Sequence, residues 1–241
     1  MKTPLRVLST LCLSALLVAC SSTPSNTLGQ LPPTKYEDLD KLLVQAGKKS
    51  DSQAVGLYLA ADDLAWQAKN ALQARDILSK VNFAVATPAQ QVFANTLEAE
   101  LALARKQPEA ALKALGHASF AHLNDLPLQQ QVRSQLARAQ ALQATGQPLA
   151  AARERIYLAP WLKGVDAFEN HEIIWQLLND LPSSQRSKTG EADLDGWFAL
   201  VQTTQSARSL TQQQKAISQW LEQYPQHPAA QMLPNSLRQL Q

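Results

Sequence analysis

Cysteine is nearly missing from this chain, with only Cys12 and Cys20 among 241 residues. Cys12 lies inside an apolar amino-terminal run, and loss of that run leaves Cys20 without a partner, so disulfides have no part in the expected fold. Glycine is scarce at eight residues. No glycine-rich phosphate loop, Gly-x-Ser-x-Gly elbow or Ser-x-x-Lys motif occurs, which argues against P-loop and serine penicillin-recognising enzymes. An excess of one charge is lacking too: 22 basic against 20 acidic residues give +2. Residues 1–19 carry Lys2 and Arg6 and no acid, so the rest holds 20 of each sign and is neutral. Nucleic-acid binding needs a clear basic excess, so no such partner is expected; the longest basic run is Lys48-Lys49, read as a solvated turn.

One apolar run is present, from Val7 to Ala19, behind the basic Lys2 and Arg6. It is too short to span a bilayer stably and reads as a signal peptide over residues 1–19. Leu17-Val18-Ala19-Cys20 resembles a bacterial lipobox, in which Cys20 becomes the lipid-modified first residue; the plain alternative is a secretory signal with a chance cysteine. Several acyl chains hold a protein on a membrane firmly where one does not. Ser21 follows the cysteine, a pattern resembling default sorting to the outer membrane, facing the periplasm. The polar, turn-prone stretch up to Pro32-Pro33 cannot bury a core, so residues 20–34 are expected to form a tether. From Ser21 to Thr34 it would reach roughly 45 Å.

Abundant Ala, Leu and Gln predict an all-α chain. Helices are expected near 36–46, 51–68, 71–81, 88–106, 108–117, 127–145, 148–158, 167–180, 193–206 and 211–223. Thr87-Pro88-Ala89-Gln90 offers a cap, a first-turn proline and a capping-box glutamine. Asp166 and Thr211 are expected to cap two later helices by the same logic. The tight turns make consecutive helices antiparallel neighbours.

The chain repeats weakly. Leu101 to Leu115 is a helix end, a turn with Pro108 and a new helix; Ala139 to Arg153, around Pro148, repeats that plan 40 residues on. Ala65 to Leu78 fits about 37 residues earlier. Ala74, Ala111 and Ala151 would let paired helices approach closely. The pattern resembles the tetratricopeptide (TPR) repeat without its tryptophan–glycine–tyrosine signature. A TPR-like solenoid of antiparallel helix pairs over residues 35–230 is expected, an ordinary Ala-rich bundle being the alternative.

Trp175, Trp197 and Trp220 lie at helical spacing among leucines and read as core rather than as a sugar- or peptide-binding platform. The catalytic inventory is thin. His171-Glu172-Ile-Ile-Trp175 lacks the second histidine of a zinc protease, His117 and His122 are poorly spaced, and His227 sits in a turn. Glu98, Glu100 and Glu172 are the carboxylates on which a wall-cleaving enzyme would draw. No catalytic, metal or cofactor residue is assigned.

The carboxyl-terminal motifs are the most specific. Asn170, Ile174-Trp175, Leu194-Asp195-Gly196-Trp197, then Trp220 with Tyr224-Pro225-Gln226-His227-Pro228-Ala229 and Met232-Leu233-Pro234 resemble the amino-terminal half of the LpoA family. Its members are outer-membrane lipoproteins that activate penicillin-binding protein 1A. The resemblance implies a non-enzymatic regulator of peptidoglycan synthesis that stimulates a bifunctional class A penicillin-binding protein by contact, with peptidoglycan itself a further candidate partner. It also implies a second, α/β part beginning about where this chain stops, so residues 231–241 are read as a stub, and the family's synthase contact is generally placed in that second part. A TPR-like scaffold for envelope assembly is the competing reading.

Overall fold

The computed structural model describes residues 38–240. The signal, Cys20 and the tether fall outside the described residues. Within them the chain is helical: α1 (Leu39–Ala46), α2 (Ser52–Gln67), α3 (Ala71–Leu78), α4 (Pro88–Ala104), α5 (Pro108–Leu115), α6 (Leu128–Ala144), α7 (Pro148–Leu158), α8 (Gly164–Asn179), α9 (Ala192–Ser206), α10 (Leu210–Gln223), α11 (Pro228–Gln231) and α12 (Asn235–Arg238). No strand occurs among the described residues.

Local chemistry starts several helices. At α4 the Thr87 hydroxyl accepts from Gln90 N (3.2 Å) while the Gln90 side chain accepts from Thr87 N (2.9 Å), with Pro88 in the first turn. Two expected caps move. Helix α8 begins at Gly164, ahead of Asp166, because Gly164 takes φ +58 and turns the chain in from the 3-10 turn at Ala159–Trp161. Helix α10 is capped by Ser209, whose hydroxyl accepts from Gln212 N, not by Thr211.

The pairs α2/α3, α4/α5 and α6/α7 are joined by one turn used three times. Asn70 N donates to Ala65 O, Gln107 N to Ala102 O and Gln147 N to Leu142 O, each at 2.9 Å. The preceding residues Lys69 (φ 61), Lys106 (φ 58) and Gly146 (φ 73) are left-handed. These six-residue closures satisfy helix-end carbonyls and reverse the chain in a fixed way. Their spacing of 37 and 40 residues matches the sequence repeat. Ala74, Ala111 and Ala151 are each fully buried, which permits the close approach of paired helices. The fold is the expected all-α, TPR-like array, and the first helices of successive pairs, α2, α4 and α6, also pack side by side.

The buried side chains form three clusters. One joins α1 to α4 around Leu59, Val92 and Leu97. A second spans the end of α6 to α12 around Leu178, Trp197 and Trp220. An alanine-rich third, with Ala99, Ala102, Ala111, Ala137 and Ala141, joins them. Trp175, Trp197 and Trp220 are all buried, so the three tryptophans are core, as expected. Packing continues past residue 230: Leu233 and Leu237 are buried in the second cluster.

Candidate functional site

Residues from three helices converge at the middle of the array. Arg133 on α6 donates from Nε and Nη2 to the two oxygens of Glu100 on α4 (2.7 and 2.6 Å), and from Nη1 to Asp63 on α2 (2.7 Å). Its guanidinium lies 5.6 Å from the Phe93 ring centre. Burial opposes the charge of Arg133, but the bonds and charges of Glu100 and Asp63 outweigh it and raise its pKa. Such forked pairing fixes geometry as well as adding energy. Thr96 and Ser134 share a buried hydrogen bond (2.7 Å) across the same α4–α6 contact.

Asp62 lies next to this clasp, fully buried, and neither of its oxygens has a hydrogen-bond partner. Burial, with the Asp63 charge, pushes its carboxyl up to about 8 despite Arg133. Its position explains the burial. One and two repeats further on, the equivalent residues are Ala99 and Ala139, both wholly buried small side chains.

Arg133 also reaches the edge of a groove between α6 and α8, about 390 Å³ in volume, where Val132, Leu136, Leu162 and Ile173 provide apolar lining. Arg155 and Asn170 line it as well. The two side chains are buried; Arg155 Nη1 donates to Asn170 Oδ1 (3.2 Å), and Asn170 Nδ2 donates to Arg155 O (3.0 Å). Arg155 Nε has no partner, and burial lowers the arginine's pKa, with Glu169 acting the other way. The groove thus combines an apolar lining with a buried polar pair.

The carboxylates and histidines singled out in the sequence are dispersed among structural contacts. Glu98 pairs with Arg105 (3.2 Å), Glu100 is held in the clasp, and Glu172 accepts from Ser236 N (3.3 Å) and Gln176. His117 caps the 3-10 segment at Ala118–Asp125, and His122 meets Asp125 (3.0 Å). His171 donates from Nδ1 to Met232 O (2.8 Å), and His227 donates from Nε2 to Asp193 O (2.8 Å) while its Nδ1 accepts from Ala229 N. Both rings stand edge-on to Trp197, at 5.6 Å. Burial lowers the pKa of each. Gly196 makes this stack possible: a Cβ there would lie 2.4 Å from the His227 ring. Among the described residues no group of three His, Cys, Asp or Glu converges as a metal set. Sequence reasoning missed the clasp, because Glu100 stood out only as a candidate catalytic carboxylate while Asp63 and Arg133 are distant in the chain and look like ordinary solvated charges; equal repeat position of Asp63 and Glu100 is the signal that would have found it.

The profile of the family described as "LppC putative lipoprotein" matches residues 34–241. The chain belongs to the LppC family. Its relatives include the "Penicillin-binding protein activator LpoA" of Vibrio cholerae, 28% identical over 238 residues, which cover 96% of this chain and 39% of the relative. The protein of the same name from Edwardsiella ictaluri is 31% identical over 235 residues, covering 93% of this chain and 33% of the relative. This LppC chain therefore spans between a third and two fifths of the length of these relatives. Among solved structures, the Escherichia coli LpoA amino-terminal domain superposes with a TM-score of 0.68 at 24% identity, covering 90% of this chain and 96% of that one. The Haemophilus influenzae LpoA amino-terminal domain gives 0.67 at 23%, covering 90% and 99%. At such identity these two likenesses establish the fold, that of the LpoA amino-terminal half.

Proposed function

We propose that this LppC chain is the helical part of an outer-membrane lipoprotein that stimulates a class A penicillin-binding protein by contact, without catalysis of its own. The observation that carries the reading is family membership together with relatives named as penicillin-binding protein activators. The fold supports it, since a helical-repeat array presents extended surface for protein contact. The groove between α6 and α8 is where an extended segment of the synthase would lie. In this reading residues 1–19 are a signal peptide, Cys20 carries the lipid, and residues 20–34 tether the helical domain at the periplasmic face.

The test mixes residues 21–241 with the cognate class A synthase and its lipid-linked precursor, and measures peptide cross-linking. A clear rise over the synthase alone is the expected result. No rise, with helical content confirmed by circular dichroism, overturns activation by this region and leaves it a tether or scaffold. Release of muropeptides from purified sacculi by the chain alone would overturn the non-enzymatic reading.

A further inference from the structure

Trp161 is the most exposed of the five tryptophans, at 41%, and Tyr157 beside it is exposed at 57%. Their ring centres are 5.2 Å apart and tilted by 53°. They form one wall of a cleft of about 400 Å³ between the end of α7 and the start of α9. Glu191 and Asp193, at the start of α9, and Arg153 on α7 line the same cleft. Arg153 donates from Nε and Nη2 to Glu191 Oε1 (3.1 and 2.8 Å).

The loop that presents Glu191 is held in place. The Asp195 carboxylate accepts from Thr189 N (2.7 Å), Thr189 Oγ1 (2.8 Å) and Gly190 N (2.9 Å), and Glu191 N donates to Thr189 Oγ1 (3.1 Å). Gly190 takes φ +86, a left-handed conformation suited to glycine. These bonds favour the ionised carboxylate and lower the pKa of Asp195. The turn that carries Glu191 is thus ordered without a ligand.

We propose that this cleft binds an oligosaccharide. A pyranose ring has an apolar C–H face, which packs on an exposed aromatic face, and a rim of hydroxyls that both donate and accept. The cleft supplies matching groups side by side: aromatic faces from Tyr157 and Trp161, acceptors from Glu191 and Asp193, and a forked donor from Arg153. The Arg153–Glu191 pair is exposed and contributes little to stability, so sugar hydroxyls can share its donors and acceptors. The volume falls within the about 300–1,000 Å³ of small-ligand sites. A protein partner fits less well. Two aromatic rings offer at most roughly 500 Å², against about 800 Å² a side in a stable protein interface. Phe168, lining a separate cleft and 42% exposed, already carries the Arg238 guanidinium 4.9 Å from its ring centre. Two carboxylates in the wall disfavour nucleic acid.

The probe is a β-1,4-linked tetramer of N-acetylglucosamine, titrated calorimetrically into the purified chain. The expected result is saturable binding with a change in tryptophan fluorescence. Trp161→Ala is expected to weaken binding at least tenfold and Glu191→Gln several-fold, both with unchanged circular dichroism, since both positions are at the surface. Phe168→Ala, on the neighbouring cleft, is the control and is expected to bind as the parent does. Absence of saturable binding overturns the proposal, as does equal binding by Trp161→Ala and the parent. Loss of a synthase contact in Trp161→Ala without any sugar binding would assign the rings to a protein partner and overturn it too. The synthase reading does not depend on this result.

Discussion

Asp62 is the residue most at odds with its surroundings, a carboxyl with no partner where the neighbouring repeats place alanine. Its pKa is 3.8 in the unfolded reference and about 8 in the fold. Between those values the folded chain keeps a proton that the unfolded chain has released, so stability falls as pH rises, until the folded carboxyl ionises too. His171 and His227 act in the opposite sense. Their lowered pKa values mean the unfolded chain takes up protons first as pH drops below 6.5, so their effect is a loss of stability on the acid side. Between pH 7 and 8 the histidines of the unfolded chain lose most of their remaining charge, and the carboxyl dominates a slope of at most about 1.4 kcal/mol per pH unit. Asp62→Ala should remove most of the decline between pH 7 and 8 in urea melts, and stabilise the chain at pH 7.5 by several kcal/mol, on the order of 3–5. A slope unchanged by the substitution would place the titration elsewhere.

At the scale of elements, most of the architecture was legible because helix starts and stops are local. Thr87 with Gln90, Pro108 and Pro148 announce helices that the structure begins at the expected residues. Asp166 failed as a cap because the left-handed Gly164 had already turned the chain, and Thr211 failed because Ser209 lies better placed in the extended backbone before α10. The four-residue helix α12 lies in the stretch expected as a stub, too short for a periodic signal; it packs on α8, a contact that no local pattern encodes. The candidate groove was hidden for the same reason, since its lining comes from three helices. The reused turn yields its own prediction. Lys106 holds a left-handed conformation that Gly146 adopts without strain in the next pair. Lys106→Gly should therefore stabilise the chain, by about 1 kcal/mol, and Gly146→Lys should lose a similar amount in thermal melts.

On the scale of the whole molecule, two large clusters meet through an alanine-rich joint. Repeat arrays are held chiefly by neighbour contacts, so the ends respond separately to local damage. Four of the five tryptophans lie after residue 160, so fluorescence reports the carboxyl-terminal cluster while circular dichroism reports all helices. Leu59→Ala removes a fully buried side chain from the other cluster, at a loss of roughly 3 kcal/mol. Helical signal should then fall at lower urea than tryptophan fluorescence does. Coincident transitions would mean that the joint transmits the damage and the array unfolds as one.

The clasp around Arg133 has built-in redundancy. Asp63 and Glu100, its two carboxylate partners, sit 37 residues apart, the same interval that separates the turn residues Asn70 and Gln107. Excising residues 71–107 would join Asn70 to Pro108 through the turn that already precedes each second helix. It would also carry Asp63 into the place of Glu100, so the guanidinium would still meet an acid. The array is in this sense modular: its length can change by one unit without orphaning the charge at its centre.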